Sequence, residues 1–333
     1  MAFKLHPRPK VCYARHVTLS ILKVPRRVLV AGFLFLGVLL WPTASNRRII
    51  GDSADGEGLY RSSLTRANLG LSGIRLYESS QGKKHWNIES EFAELHRKEN
   101  FAYLRSVLAR FFAERTGNMI TTRSNFGDAR FDKQLIHLNG DVKVESKKGY
   151  LFTMPSLTYI GEKHAFLSDS AVQMRGPPAS RPTIFLRGKG FSADIDREHF
   201  LLRKNVSGHK KLKGAEWLRV RSRSGEFFTN EQRSVFVGDV QSQLPRIVME
   251  SDTMEMALAE GDESILARGN VHLHNRGREG LAEYAFLKIG TNKVVLEGKA
   301  QVRSEDGTLL GRRITLYTDE DRIEVEGAEG RTN

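Results

Sequence analysis

The 333-residue chain has one cysteine, Cys12, and only 9 prolines. A lone thiol forms no intramolecular disulfide, so the fold must rest on buried apolar surface. Acidic residues are missing from residues 1–50, which hold nine of the 52 lysines and arginines. The remainder has 43 basic against 39 acidic residues, a net of +4, so the formal +13 belongs mostly to the N-terminus. A nucleic-acid-binding body carries its basic face in the folded part, beside a reading module. No helix-turn-helix, zinc-finger or RNP-like pattern is present, which argues against a nucleic-acid partner. A nucleophile elbow, a P-loop and a Gly-rich cofactor loop are absent too, so the sequence points away from an enzyme and implies no cofactor.

Long apolar runs are equally scarce, with a single one, Val28–Trp41. Lys4, Arg8, Lys10, Arg15, Lys23, Arg26 and Arg27 precede it. This asymmetry predicts a cytoplasmic N-terminus and an exported body, with Trp41 at the membrane boundary. The run is shorter than the roughly 20 residues of an average span, so a cleaved signal peptide competes with an anchor. Pro42 stands where a cleavage site wants a small residue, and extension from Val24 to Ala44 reaches a spanning length if Arg26 and Arg27 snorkel. This favours an uncleaved single-pass anchor. The expected organisation is a basic cytoplasmic segment 1–27, a transmembrane helix 28–44, a tether 45–73 rich in Gly, Ser, Arg and Asp, and a folded body from 74. Cys12 then lies on the cytoplasmic side as an ordinary thiol, without a lipidation motif around it.

From Ile74 onward, short runs alternate apolar and polar residues between Gly, Asp, Asn and Glu clusters, the pattern of half-buried antiparallel strands. Residues 91–115 are ambiguous. Phe92, Leu95, Leu104, Leu108, Phe111 and Phe112 suit a helix stripe, while Phe101, Tyr103, Val107, Ala109 and Phe111 alternate. Three of the five prolines after residue 43 lie in Gly176–Pro182, which suggests a boundary dividing the body into 74–180 and 181–333.

A glycine flanked by alternating apolar residues recurs along the body. The copies surround Gly140, Gly238, Gly269, Gly298 and Gly327, with degenerate ones at Ser170 and Lys204. A regular spacing of about 30 residues marks units that cannot bury their own apolar face and must stack on neighbours. Residues two apart share a strand face. Ile136, Leu138, Val142 and Val144 therefore oppose His137, Asn139, Asp141 and Lys143. Phe236 with Val240, and Val271 with Leu273, occupy the same apolar column in later copies. A glycine in that column suits a bulge, a close approach of two sheets, room for a ligand, or a simple bend. A second strand and a turn precede each glycine strand, so stacked hairpins are expected in two facing sheets, with about 26 strands of about 10 residues each.

At this point the residues carry a resemblance. An N-terminal anchor, Gly73–Tyr77, His85–Ser90, Leu104 with Val107, Phe111–Phe112, Gly117, Leu138–Val142, Gly149–Thr153 and Leu157–Tyr159 together resemble LptC, the bitopic inner-membrane component of the lipopolysaccharide export machine. The later Gly-Asp/Asn-Val strands are similar to the repeat of LptA, the periplasmic bridge protein of that pathway. The resemblance implies an all-β fold, an open twisted antiparallel β-jellyroll behind one transmembrane helix, and places residues 91–115 in strands. It implies a protein of the inner membrane with a periplasmic body. That body would receive lipopolysaccharide from an LptB-LptF-LptG-type transporter and pass it along an apolar groove. Ile136, Leu138, Val142, Val144, Trp86, Phe112, Phe152 and Tyr159 are implied as groove lining, with Phe236, Val240, Val271 and Leu273 in the extension.

Open sheets end in unpaired strands, so an LptA-type or LptD-type jellyroll is expected to add at the C-terminal edge. The basic stretch Arg203, Lys204, Lys210, Lys211, Lys213, Arg219, Arg221 and Arg223 is a solvated face or a surface for lipid A phosphates. His272 and His274 fall on the polar face without a third ligand, so no metal is expected there. Asp319–Asp321 reads as a polar turn. Two other classes fit an anchored β-repeat protein: an envelope scaffold joined through sheet edges without lipid, and a sensor acting through residues 1–27.

Overall fold

The computed structural model describes residues 69–80, 83–177, 184–212, 217–257, 259 and 261–328. The expected anchor at 28–44 lies outside them, as does the tether up to residue 68, and no helix among the described residues is long and apolar enough to cross a membrane.

The first nine strands are β1 Leu69–Ser80, β2 Lys83–His96, β3 Phe101–Phe112, β4 Met119–Arg130, β5 Leu135–Ser146, β6 Leu151–Ile160, β7 Ala165–Gly176, β8 Ile184–Asp194 and β9 His199–Lys211. The remainder are β10 Trp217–Ser222, β11 Ser224–Phe228, β12 Arg233–Leu244, β13 Ile247–Ala257, β14 Ser264–Asn275, β15 Arg278–Lys288, β16 Lys293–Ser304, β17 Gly307–Tyr317 and β18 Ile323–Ala328. Each pairs antiparallel with the next. The exception is informative: β10 and β11 both pair with β9 on one side and β12 on the other, so they are one strand broken at Arg223. The ladder crosses the Pro-rich stretch unbroken, with Gly176 opposite Ile184.

All 18 strands form one sheet, against the expected two sheets and about 26 strands. The reason is strand length. Most strands are long and bend midway, so each supplies both layers of the jellyroll. The interior between the layers is shown by contacts that skip strands: the Phe111 ring on β3 lies 4.4 Å from Tyr159 on β6 and 5.0 Å from Phe166 on β7.

The glycine repeat marks the bends. Gly140 and Asp141, Gly238 and Asp239, Gly269 and Asn270, and Gly298 and Lys299 are consecutive left-handed pairs, with φ between 45° and 82°. Glycine takes this conformation at little cost, and Asp and Asn tolerate it better than most residues. A Cβ on Gly269 would fall 2.4 Å from Asp252 Oδ2, an outward-facing residue of the preceding strand. The missing side chain therefore serves a bend and a close approach on the outer face, and leaves no interior room. Two left-handed residues keep the alternation in phase, so β5 buries Ile136, Leu138, Val142 and Val144 on one face, as their spacing predicts.

The partner strands bend differently. They skip one residue, so β4 buries Thr122 and Ser124 and then Ala129, and β13 buries Met249 and Ser251 and then Met254. A buried serine sits at several of these bends and donates to the carbonyl two residues on: Ser90 to Phe92 (2.7 Å), Ser124 to Phe126 (2.8 Å), Ser222 to Ser224 (2.8 Å) and Ser251 to Thr253 (2.9 Å). Each hydroxyl satisfies a carbonyl that the interrupted ladder releases. In β3 the phase change comes at Ser106, where φ is 54°. Residues 101–111 therefore are strand, with Val107, Ala109 and Phe111 inside but Tyr103 outside.

Candidate functional site: interior and mouth of the jellyroll

Because the strands run antiparallel and most bend once, the turns fall into two rows. In the first row the turns stack through backbone hydrogen bonds, each carbonyl accepting an N–H from a later turn. The rungs are Asn100 to Phe131, Gln134 to Gly161, His164 to Ile195, Glu198 to Thr229, Glu263 to Ile289 and Asn292 to Thr318, at 2.8 to 3.2 Å. Asn100, Gln134, His164, Glu198 and Asn292 are left-handed. Side chains bridge from this row to the opposite one, across the mouth of the folded sheet. Asp196 Oδ1 accepts from the Glu114 N–H at 2.6 Å, and Lys148 Nζ lies 2.6 Å from Glu198 Oε2. Lys210 Nζ lies 3.2 Å from Glu263 Oε1, and Arg276 donates to the Asp319 carbonyl at 2.7 Å. Asp319 thus belongs to a structural turn, as its neighbours suggest, and also accepts from Asn292 at 2.8 Å.

One apolar core runs through both halves, with polar groups such as Glu94, His96, Asn275 and Arg278 buried beside it. Trp86, Ile136, Leu138, Val142, Val144, Phe152, Tyr159, Phe236, Val240, Val271 and Leu273 all belong to one core, none more than 7% exposed. Phe112 departs from this set. It is half-buried while its neighbours Phe111 and Ala113 are enclosed, because the phase change at Ser106 turns the odd-numbered residues inward. Burial pushes the pKa of the Tyr159 phenol up, with the carboxylates Glu78, Asp196 and Glu114 adding to the shift, so it stays protonated.

Most of this interior is filled by its own side chains, but a cavity of about 370 Å³ opens under β9 to β13. This lies within the roughly 300–1,000 Å³ of pockets that hold small ligands. Leu186, Phe200, Leu218, Val220, Phe227 and Met256 form its apolar wall. His209, Lys210, Lys211 and Arg233 stand at its rim, and His209 and Lys211 are solvent-exposed, so the cavity has a basic entrance. Burial lowers the pKa of His209, and Arg219 and Arg187 lower it further. Burial raises that of Glu263, but the hydrogen bond and charge of Lys210 outweigh it and the net shift is downward. A second cavity of about 70 Å³ shares Tyr150, Phe200 and Thr229 with the first.

Of the basic stretch, Lys210 and Lys211 reach this rim; Arg203, Lys204, Arg219, Arg221 and Arg223 lie exposed on the outer surface, and Lys213 is outside the described residues. Arg203 pairs with Asp169 and Arg223 with Asp239. His272 and His274 are exposed, as their parity predicts. Of the sequence-predicted lining residues Phe236 reaches this cavity, while Leu186, Phe200, Leu218, Val220 and Phe227 belong to the stretch between Ser170 and Gly238 where the glycine repeat is degenerate.

Residues 74–211 match the family model described as lipopolysaccharide-assembly, LptC-related. Residues 219–322 match the model for the LptA/(LptD N-terminal domain) LPS transport protein. The first part of the body is thus similar to LptC-related proteins and the second to LptA and the LptD N-terminal domain. The first matched segment ends at residue 211 and the second begins at 219, Lys211, Leu212 and Leu218 line the cavity, and the LptC-related segment runs through the Pro-rich stretch. Among solved structures the chain is similar to LptH, the LptA homologous periplasmic component of the conserved lipopolysaccharide transport device from Pseudomonas aeruginosa. Identity is 20%, over 34% of this chain and 84% of that one, with a TM-score of 0.32. No curated protein matches the chain significantly. Both domain families are transport components, so the chain is not an enzyme.

Proposed function

We propose that this protein receives lipopolysaccharide drawn from the inner membrane by an LptB-LptF-LptG-type transporter and passes its acyl chains through the jellyroll toward the outer membrane. The observation that carries the proposal is the single apolar interior running through both the LptC-related and LptA-like domains, with a basic-rimmed cavity where they meet. Moving a lipid requires an apolar path and no bond-making group. Each methylene withdrawn from water is stabilised by about 0.8 kcal/mol, so the walls need no specific contact with the chain. Lys211, exposed at the rim, suits the phosphates of the headgroup while the chains lie inside.

In this reading residues 28–44 anchor the protein with its N-terminus in the cytoplasm and its body in the periplasm. The C-terminal edge takes an LptA-type or LptD-type jellyroll by strand addition. Among the described residues β18 covers β17 from Gly311 onward, and Leu309 and Leu310 are exposed. An exposed apolar edge of this kind is a template for another strand.

The close packing elsewhere in the interior favours one competing reading, an envelope scaffold that joins partners through its edges without carrying lipid. Photo-crosslinking in cells separates the two, with single probes at Val142 and Leu218, which face inward, and at Lys143 and Arg219, which face outward. Lipopolysaccharide adducts are expected at the first pair and not at the second. Equal adducts at all four positions, or none at Val142 and Leu218, would sink the transport reading and leave the scaffold.

A further inference from the structure

Near the N-terminal end of the mouth, three metal-ligating side chains converge from distant parts of the chain. His85 lies near the start of β2, Glu114 in the turn between β3 and β4, and His164 in the turn between β6 and β7. Glu114 Oε1 is 3.3 Å from His85 Nδ1 and 3.3 Å from His164 Nε2, and all three atoms lie within 4.8 Å of one another. The histidine rings stand edge to face with centroids 5.1 Å apart. Two imidazole side chains are mostly enclosed, 13% and 19% exposed, while Glu114 is 40% exposed. His85 Nδ1 is buried and makes no hydrogen bond, despite its closeness to the carboxylate.

We propose that His85, Glu114 and His164 bind a divalent transition metal of the zinc class. The distances carry the argument. Zinc bonds to imidazole nitrogen and carboxylate oxygen are about 2.0–2.1 Å, so adjacent ligand atoms in a tetrahedral site are about 3.3–3.4 Å apart. Both contacts of Glu114 have that separation. Two neutral imidazoles and one carboxylate also suit zinc in ligand type, and Glu114 leaves a solvent-facing side for a water as fourth ligand.

A carboxylate stands close behind His164. Asp196 Oδ2 is 3.7 Å from His164 Nδ1, a buried nitrogen that makes no hydrogen bond, and Asp196 Oδ1 accepts the Glu114 backbone N–H at 2.6 Å. Closing that gap when an ion binds Nε2 would fix the tautomer and orientation of His164. His164 is itself held by the turn ladder, its carbonyl accepting from Ile195 N–H at 3.1 Å. A bound ion would tie β2 and the turn after β3 to the turn after β6, closing the mouth at this end. No spacing in the sequence shows the site, because its ligands belong to three separate hairpins and come together only when the sheet folds over.

The test is calorimetric titration of the full chain, purified in detergent without an affinity tag, with Zn²⁺ alone. One zinc per chain is expected at micromolar affinity or tighter, weakened at least 100-fold in His85→Ala and in His164→Ala. Asp196→Asn should weaken it about 10- to 100-fold, and the outward pair His272→Ala/His274→Ala should leave it unchanged. No binding at 100 µM Zn²⁺, or full affinity in a His85→Ala/His164→Ala chain, overturns the site. Co²⁺ added to the unaltered chain gives a reading that needs no variant. Intense visible absorption of a tetrahedral ion is expected, and the weak spectrum of a hydrated ion overturns the proposal.

Discussion

The two halves of the jellyroll fill the same interior with different material. The LptC-related half is aromatic, with Trp86, Phe111, Phe152, Tyr159, Phe166, Phe191 and Phe200 buried. Beyond Val240 the buried hydrophobic residues are aliphatic or methionine, among them Met249, Met254, Met256, Ile265, Leu273 and Leu296; the one enclosed aromatic ring is Tyr317, among the described residues. The bends differ in parallel. On the glycine strands the second half has consecutive left-handed pairs at Gly238, Gly269 and Gly298, whereas the first half mixes one such pair with single left-handed residues at Ser106, Gly190 and Asn205. A regular repeat with a pliant interior can be extended strand by strand. An irregular half with rigid rings fits one particular neighbour. The cavity of about 370 Å³ lies where these two interiors meet, which is where the packing rules of neither half continue.

The sharpest way to break this comparison is Phe111→Ala. Its ring is fully buried against Tyr159 and Phe166, so the loss should be about 3–5 kcal/mol. Stacked units report mainly on their neighbours, so urea denaturation should turn biphasic, with the transition of the first half shifted and that of the second unchanged. Met254→Leu in the pliant half should cost under about 1.5 kcal/mol.

Next in size is Glu263→Gln, which parts the pair that joins the two halves. With side chains only 12% and 11% exposed, the pair lies between surface and buried cases, and the loss should be about 1–3 kcal/mol. The sign with pH follows from the lowered pKa of Glu263. Its contribution is fully present above its ordinary value of 4.5 and disappears as pH falls through the lower folded value. A pH series of thermal melts should show the variant less sensitive than the parent below pH 4.5.

Gly269→Ala strains a left-handed bend and pushes a methyl into Asp252, for a loss of about 1–3 kcal/mol by chemical denaturation. The smallest effect is expected at the other kind of bend. Ser251→Ala removes one hydroxyl from the Thr253 carbonyl and should cost about 1 kcal/mol in the same measurement. Equal losses at the two bends would show that the glycine and serine devices carry the same weight, against the strain argument.

Much of the architecture was legible because alternation is a local property. Ile136 to Val144 and Ile265 to Leu273 face inward as their spacing predicts, since paired left-handed residues preserve the phase across each bend. The reading failed at Phe112 and Tyr103 because a single left-handed Ser106 shifts the phase, and serine gives no signal of that conformation. The turn ladder was hidden for the same reason: Gln134, His164 and Glu198 are ordinary residues whose backbones are left-handed only because neighbouring turns stack on them.

By itself the sequence determined the all-β class, the regular glycine repeat, the apolar column in most strands and the resemblance to lipopolysaccharide transport families, since each is written in side chains close along the chain. Only the tertiary structure decided that the 18 strands of the described residues make one sheet, that Leu212 and Leu218 line a cavity, that Lys210 meets Glu263, and that His85 and His164 converge on Glu114. These depend on where each strand bends and on which turn then faces which. Such contacts join residues far apart in the chain, and no pattern within one strand specifies them.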